Sequence, residues 1–141
     1  MAPLEIKVGD SFTEVVVDNL SRTQIVQYAG ASGDYNPLHS DEVYATKVAG
    51  YRSVFAHGML TMALAGKVLT HVFGPDRIAK FGVRFVGQVW PGDTLSVTAT
   101  VAEVRQDEGR RVADLVLKTT NQDGVDVLTG SATVRLDAAA N

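Results

Sequence analysis

Asp34 and His39 stand five residues apart, with Asn36 and Pro37 between them, in the stretch Gly33-Asp34-Tyr35-Asn36-Pro37-Leu38-His39. A carboxylate and an imidazole are the usual pair for moving protons near neutral pH. On a continuous helix, residues five apart point in divergent directions, so this spacing serves chemistry only if the chain is bent. Pro37 supplies the bend: it has no amide proton and biases Asn36 toward extended angles, while Gly33 tolerates angles that a side chain would resist. The segment is therefore predicted to be a fixed irregular loop on which Asp34 and His39 converge on one small object such as a water molecule. A purely structural reading exists for each residue alone: Asp34 as a cap, Asn36-Pro37 as a turn, His39 as a loop histidine. The whole string, followed by the helix-starting Ser40-Asp41-Glu42, favours the chemical reading.

Composition narrows the chemistry further. The chain of 141 residues has no cysteine, which removes disulfides, thiolate nucleophiles and sulfur-ligated metals. Its three histidines, His39, His57 and His71, include no pair at a spacing typical of zinc ligands, so a metal is not expected. The net charge of −3, without a run of Lys and Arg, gives a nucleic-acid partner no electrostatic support. Lys47, Arg52, Lys67, Arg77, Lys80 and Arg84 could form a local basic patch for an acidic partner. No apolar run reaches the roughly 20 residues needed to cross a membrane, since Met59 to Phe73 is interrupted by Lys67 and His71. With no signal-peptide pattern at the N-terminus, a cytoplasmic protein is expected.

The elements that must position the pair can be read in order. Ile6 to Asp10 reads as a short edge piece ending in a turn, and Phe12 to Val17 as a β-branched strand. Ser21 and Gln24 form a capping-box pattern ahead of a helix of about ten residues that delivers the chain to the loop. A second short helix is predicted from Ser40 to about Lys47, closed by Gly50, and Tyr51 to Phe55 is a connector. The longest helix is expected from Gly58 to Phe73, stopped by Gly74-Pro75 and apolar nearly all round, which marks a helix wrapped by other structure. Small residues at Ala63, Ala65 and Gly66 would let a sheet approach it. Beyond Asp76 the period becomes alternating: 78–89, 94–104, 111–120 and 125–136 read as consecutive strands of an antiparallel meander. An antiparallel sheet around one apolar helix is an α+β hotdog fold, here as one domain over residues 1–141. The tail from Asp137 to Asn141 is expected to fray.

The run Tyr28-Ala29-Gly30-Ala31-Ser32-Gly33-Asp34-Tyr35-Asn36-Pro37-Leu38-His39, with Ala45 six residues on, resembles the hydratase 2 motif of the MaoC-like, (R)-specific enoyl-thioester hydratases. Phe55-Ala56-His57-Gly58-Met59-Leu60-Thr61, Val83-Arg84-Phe85 and Pro91-Gly92-Asp93 are similar to further pieces of that family, in the same order. Within it, the wording is most similar to the β-type subunit of actinobacterial (3R)-hydroxyacyl-carrier-protein dehydratases. The resemblance implies a hotdog fold, a homodimer or a heterodimer with a related subunit, and reversible hydration of trans-2-enoyl thioesters of CoA or acyl carrier protein. Such chemistry needs a base for water, a proton for C2 and charge stabilisation on the thioester oxygen, with no cofactor. His39 is the preferred base and Asp34 the acid partner, though the two roles could be exchanged, and Asn36 is the orienting amide. Gly58, at the positive end of the apolar helix, is the candidate oxyanion donor. Its neighbours Ala56 and His57 line the approach, His57 in a supporting role.

Two other readings share these residues. A hotdog thioesterase would need a carboxylate, usually on the central helix, yet 58–73 has no acidic residue. An acyl-thioester-binding subunit of a heteromeric dehydratase would not need Asp34 and His39 intact. His71 suits the negative end of the helix and has no catalytic assignment. Trp90 is expected to pack at a turn or interface.

Overall fold

The computed structural model describes residues 4–137. Its elements are β1 (Ser11–Val17), α1 (Arg22–Ser32), α2 (Gly58–Phe73), β2 (Ile78–Phe85), β3 (Leu95–Asp107), β4 (Arg110–Thr120) and β5 (Asp126–Arg135). The five strands form one antiparallel sheet in the order β1-β3-β4-β5-β2. The sheet curls around α2, as in the expected hotdog architecture.

Alternation explains the curl's inner face. Leu95, Val97, Ala99 and Val101 of β3 are buried, as are Leu115 and Leu117 of β4, and Leu60, Leu64, Ala65, Val68, Leu69 and Phe73 of α2 press against them. Ala65 is fully buried, and the ring of Phe81 lies 3.2 Å from where a Cβ on Gly66 would sit, so small side chains do admit the sheet. The helix is sheathed on one side only, however. Met59, Ala63, Lys67, Thr70 and His71 are exposed at helical spacing, because five strands of one chain cover the face of Leu60, Thr61, Leu64, Ala65, Val68, Leu69 and Phe73 and leave the opposite one open.

The meander expectation needs a second correction. Strands β3, β4 and β5 follow one another, but β2 pairs with β5 and not with β3. The place beside β3 is taken by β1 on one side and β4 on the other. Residues 86–94 are therefore a crossing connector and not a hairpin. Strand pairing stops at Phe85, where Val86 and Gly87 both donate to the Val127 carbonyl, at 3.0 and 3.2 Å. Reciprocal bonds between Leu20 and the connector, Leu20 N–H to Asp93 O at 2.8 Å and Gly92 N–H to Leu20 O at 2.7 Å, tie the crossing down. Buried Asp93 accepts from Trp90 N–H and Gln122 Nε2, which is turn chemistry, as its Gly-Asp context predicts.

Three smaller expectations change. Residues 6–10 are a turn and not a strand, although Gly9 N–H donates to Val101 O and Val101 N–H to Asp10 O, so the turn still clasps β3. The helix expected at 40–47 becomes, over Tyr44–Val48, a π-turn closed by Ala49 N–H to Tyr44 O at 2.9 Å. Asp137 is not frayed: its carboxylate takes the Arg111 amide and Nε, and the rest of the tail, 138–141, lies outside the described residues.

Candidate active site

The first helix delivers the chain as its caps dictate. Ser21 Oγ accepts from Gln24 N–H at 3.0 Å, and Gly33, at φ +77°, ends α1 in the left-handed region that glycine adopts at little cost. Side chains then replace regular pairing. Ser32 Oγ accepts from Asp34 N–H, Asp34 Oδ1 from Asn36 N–H, and Asn36 Oδ1 from Leu38 N–H, at 3.1, 3.2 and 3.0 Å. Pro37, needing no partner for its nitrogen, opens a single 3₁₀ turn over Pro37–His39, a local regularity in the loop expected from sequence. Asn36 thus shapes the turn through its carbonyl oxygen, and its NH₂ stays exposed.

The connector before α2 runs beside this loop. Phe55 N–H donates to Leu38 O at 3.3 Å, and the Phe55 carbonyl accepts from His39 Nδ1 at 2.7 Å. A carbonyl only accepts, so the His39 proton sits on Nδ1 and its Nε2 presents a lone pair. Burial holds the imidazole below its ordinary pKa. The Phe55 carbonyl opposes that shift, His57 adds to it and Asp34 opposes it. His57 lies face to face with His39, ring centroids 3.8 Å apart, and donates from Nε2 to the Asp34 main-chain carbonyl at 3.0 Å.

His57, well down the chain, therefore meets Asp34 and His39. Asp34, His39 and His57 each bring one ligand-type atom within 4.8 Å of the others. One nitrogen of each imidazole is already committed to a main-chain carbonyl. Asp34 is exposed, His39 half-buried and His57 buried.

Beside this cluster α2 begins without a side-chain cap. The His57 carbonyl takes the amides of Leu60 and Thr61, so among the described residues those of Gly58 and Met59 have no acceptor. Gly58 and Ala56, with Phe55, Thr61, Phe85, Gly87, Gln88 and Val89, line a cleft of about 190 Å³. Thr61 Oγ is spent on the Gly58 carbonyl at 2.6 Å. Asp34 and His39 are not on the wall of this cleft; Phe55 and His57 connect them to it.

Sequence reasoning missed the residues that frame the site. The Phe55 carbonyl sets the His39 tautomer, and no side-chain pattern reports a carbonyl's direction. Glu42 accepts from Arg22 at 2.6 Å and from Val54 N–H at 3.3 Å, clamping α1, the π-turn and the connector together. Arg52 lies 4.3 Å over the Trp90 ring, which meets Phe55 edge-on. Arg77 leaves the suggested basic patch: it is buried and donates to the Arg135 and Leu136 carbonyls. His71 pairs with Glu14 on the surface, away from the cluster.

Comparison with known proteins places this architecture. The family model for the MaoC like domain matches residues 5–122. The chain belongs to the MaoC-like family. This MaoC-like chain is 39% identical over 113 residues to 3-hydroxyacyl-thioester dehydratase Y of Mycobacterium tuberculosis, covering 78% of the chain and 38% of that protein. It is 32% identical over 135 residues to a probable enoyl-CoA hydratase 2 of Dictyostelium discoideum, covering 94% of the chain and 43% of the relative. The chain thus spans less than half the length of the curated relatives it matches. Among solved structures, R-hydratase PhaJ1 from Pseudomonas aeruginosa superposes with a TM-score of 0.82 at 28% identity, over 96% of this chain and 84% of that one. The (R)-hydratase from A. caviae gives 0.81 at 26% identity, over 93% and 97%. The fold is that of the hotdog hydratases, and no helix among the described residues is long and apolar enough to cross a membrane.

Proposed function

We propose that this chain adds water reversibly to trans-2-enoyl thioesters, carried by CoA or acyl carrier protein, giving (3R)-3-hydroxyacyl thioesters. The observation that carries the reading is the meeting of Asp34 and His39 beside the uncapped start of α2. With its proton on Nδ1 and burial disfavouring the imidazolium, His39 is the base: Nε2 takes a proton from water as the oxygen bonds to C3. The π electrons of C2–C3 move toward the thioester oxygen, where the amide of Gly58 and the positive end of α2 receive the charge. The water proton taken by His39 is passed through Asp34 to C2, so that both side chains end the step as they began it. Both transfers come from one side of the substrate, hence syn addition. The names of the relatives, a dehydratase, an enoyl-CoA hydratase and two R-hydratases, support this chemistry in either direction.

A second hotdog chain, identical or related, completes the assembly in this reading. Met59, Phe85 and Val86 are 55%, 48% and 48% exposed next to the unpaired edge of β2, an apolar surface that a free monomer would leave wet. Light scattering on the purified chain, alone and with a co-expressed related subunit, tests this.

The deciding assay mixes the chain with a short enoyl-CoA and follows enoyl absorbance and CoA thiol release together. Loss of the enoyl signal without thiol release is the expected result. Thiol release would make the chain a thioesterase, although α2 offers that reaction no carboxylate. Activity only with a partner subunit would place the chain in a heteromer.

A further inference from the structure

We propose that His57 is a positioning residue: its Nε2–H anchors the Asp34 main chain, and its ring face holds His39 with Nε2 presented to water. The inference builds on the acid–base reading of Asp34 and His39, and it assigns the machinery that keeps those two groups in register. His57 is 1% exposed, its Nε2 donates to the Asp34 carbonyl at 3.0 Å, and its ring stacks on His39 at 3.8 Å with 25° between the planes. Tyr28 of α1 meets the same ring at 4.9 Å, so both the first helix and the loop bear on it.

One detail separates this role from plain packing. His57 Nδ1 is buried and has no hydrogen-bond partner among the described residues. A buried acceptor without a donor costs stability that an apolar ring of the same shape would not. The Nε2–H is what an apolar ring lacks. The carbonyl of Asp34 fixes the tautomer, since it can only accept. His57 therefore supplies His39 with a rigid wall, its own N–H fixed on the loop.

The groups facing the pair are few. His39 sees the Asp34 carboxylate, the His57 ring and the edge of Phe55, and His57 sees His39, Tyr28 and the Asp34 carbonyl. Burial opposes an imidazolium at His39, the Phe55 carbonyl favours one, the His57 charge opposes it and the Asp34 charge favours it, and the His57 ring is part of what buries His39. Removing the ring should therefore move the acid limb of the kcat/KM profile to higher pH.

Two substitutions divide the role, and a third measurement needs neither. His57→Gln keeps an N–H within reach of the Asp34 carbonyl but loses the ring: the acid limb should move up in pH with the loop retained. His57→Phe keeps a ring but loses the donor: kcat should fall by about 10- to 100-fold with a much smaller change in KM, the signature of misplaced reacting groups. Wild-type kcat and an unmoved acid limb in both variants would overturn the proposal. In the unaltered protein, long-range ¹H–¹⁵N NMR of the imidazoles should show neutral His57 as the Nε2–H tautomer. The Nδ1–H tautomer at His57 would overturn the proposal too. The spectrum requires no turnover and no variant. A chain that proves inactive on enoyl thioesters would sink the proposed reaction while the NMR result still decides the His57 assignment, and variants that fail to fold leave that result standing.

Discussion

From Leu95 to Val101 and from Ala113 to Thr119 alternate side chains are buried, and β3, β4 and β5 are held to one another by ladders with a single register shift each. From Gly33 to Gly58 there is no ladder: scattered main-chain turns are joined by single bonds from side chains to main chain, Asp34 to Asn36, Asn36 to Leu38, His39 to Phe55 and His57 to Asp34. The first region is redundant, since no one ladder bond decides its shape. In the second, each bond has one donor and one acceptor, and losing either frees a reacting group. The difference teaches where damage should be read: in the sheet as lost stability, in the loop as lost rate.

The sharpest break of that contrast is at the loop. Asp34→Asn and His39→Ala should each lower turnover by at least about 10²-fold, the usual contribution of positioned acid–base groups, with the denaturant midpoint unchanged. Near-normal rates in both would remove the acid–base assignment. The mirror experiment is Gly130→Ala, in β5. A Cβ there would meet the main-chain oxygen of Gly82 at 2.5 Å, and backbone on the paired strand β2 has nowhere to swing. Destabilisation of about 1–3 kcal/mol or more is expected from chemical denaturation, since overpacking costs that much even where side chains can adjust. A neutral Gly130→Ala would show the sheet to be softer than its ladder implies.

A smaller effect sharpens the comparison by pH. Burial, first among the influences on His39, lowers its pKa, and the base works only when neutral. Activity should therefore persist below the ordinary imidazole range and fall only as pH drops through the depressed value. A pH profile of kcat/KM whose acid limb lies above the ordinary imidazole pKa would contradict this. The smallest effect is expected at Arg22→Ala. The Arg22–Glu42 pair is exposed on both sides, and exposed pairs contribute little. The Arg22 guanidinium, with the Val54 amide, holds the Glu42 carboxyl below its usual range. Any stability this gives is present above the ordinary carboxylate pKa and disappears as acid protonates Glu42. The thermal midpoint at neutral pH should stay within measurement error, and a clear drop would mean that the loop's frame is more cooperative than its separate bonds suggest.

Local rules made much of this molecule readable in advance. Ser21 as a cap, the stop at Gly33, the Pro37 bend and the span of α2 all depend on residues within a turn or two of each other, so the sequence carries them directly. Strands β3 and β4 were legible because burial on one face imposes a period of two, clearest from Leu95 to Val101 and from Ala113 to Thr119. The place of β2 was not, because pairing with β5 depends on which neighbour already occupies the side of β3, a long-range competition that alternation does not encode.

The same division runs through the site. Residue types at 34 and 39 by themselves determined the acid–base chemistry proposed for this chain, because a carboxylate and an imidazole are proton-exchanging groups wherever they stand. Only the folded chain decided which imidazole nitrogen is free, and that His57 lies against His39. Those facts depend on the direction of the Phe55 and Asp34 carbonyls, and a carbonyl points where the packed backbone turns it.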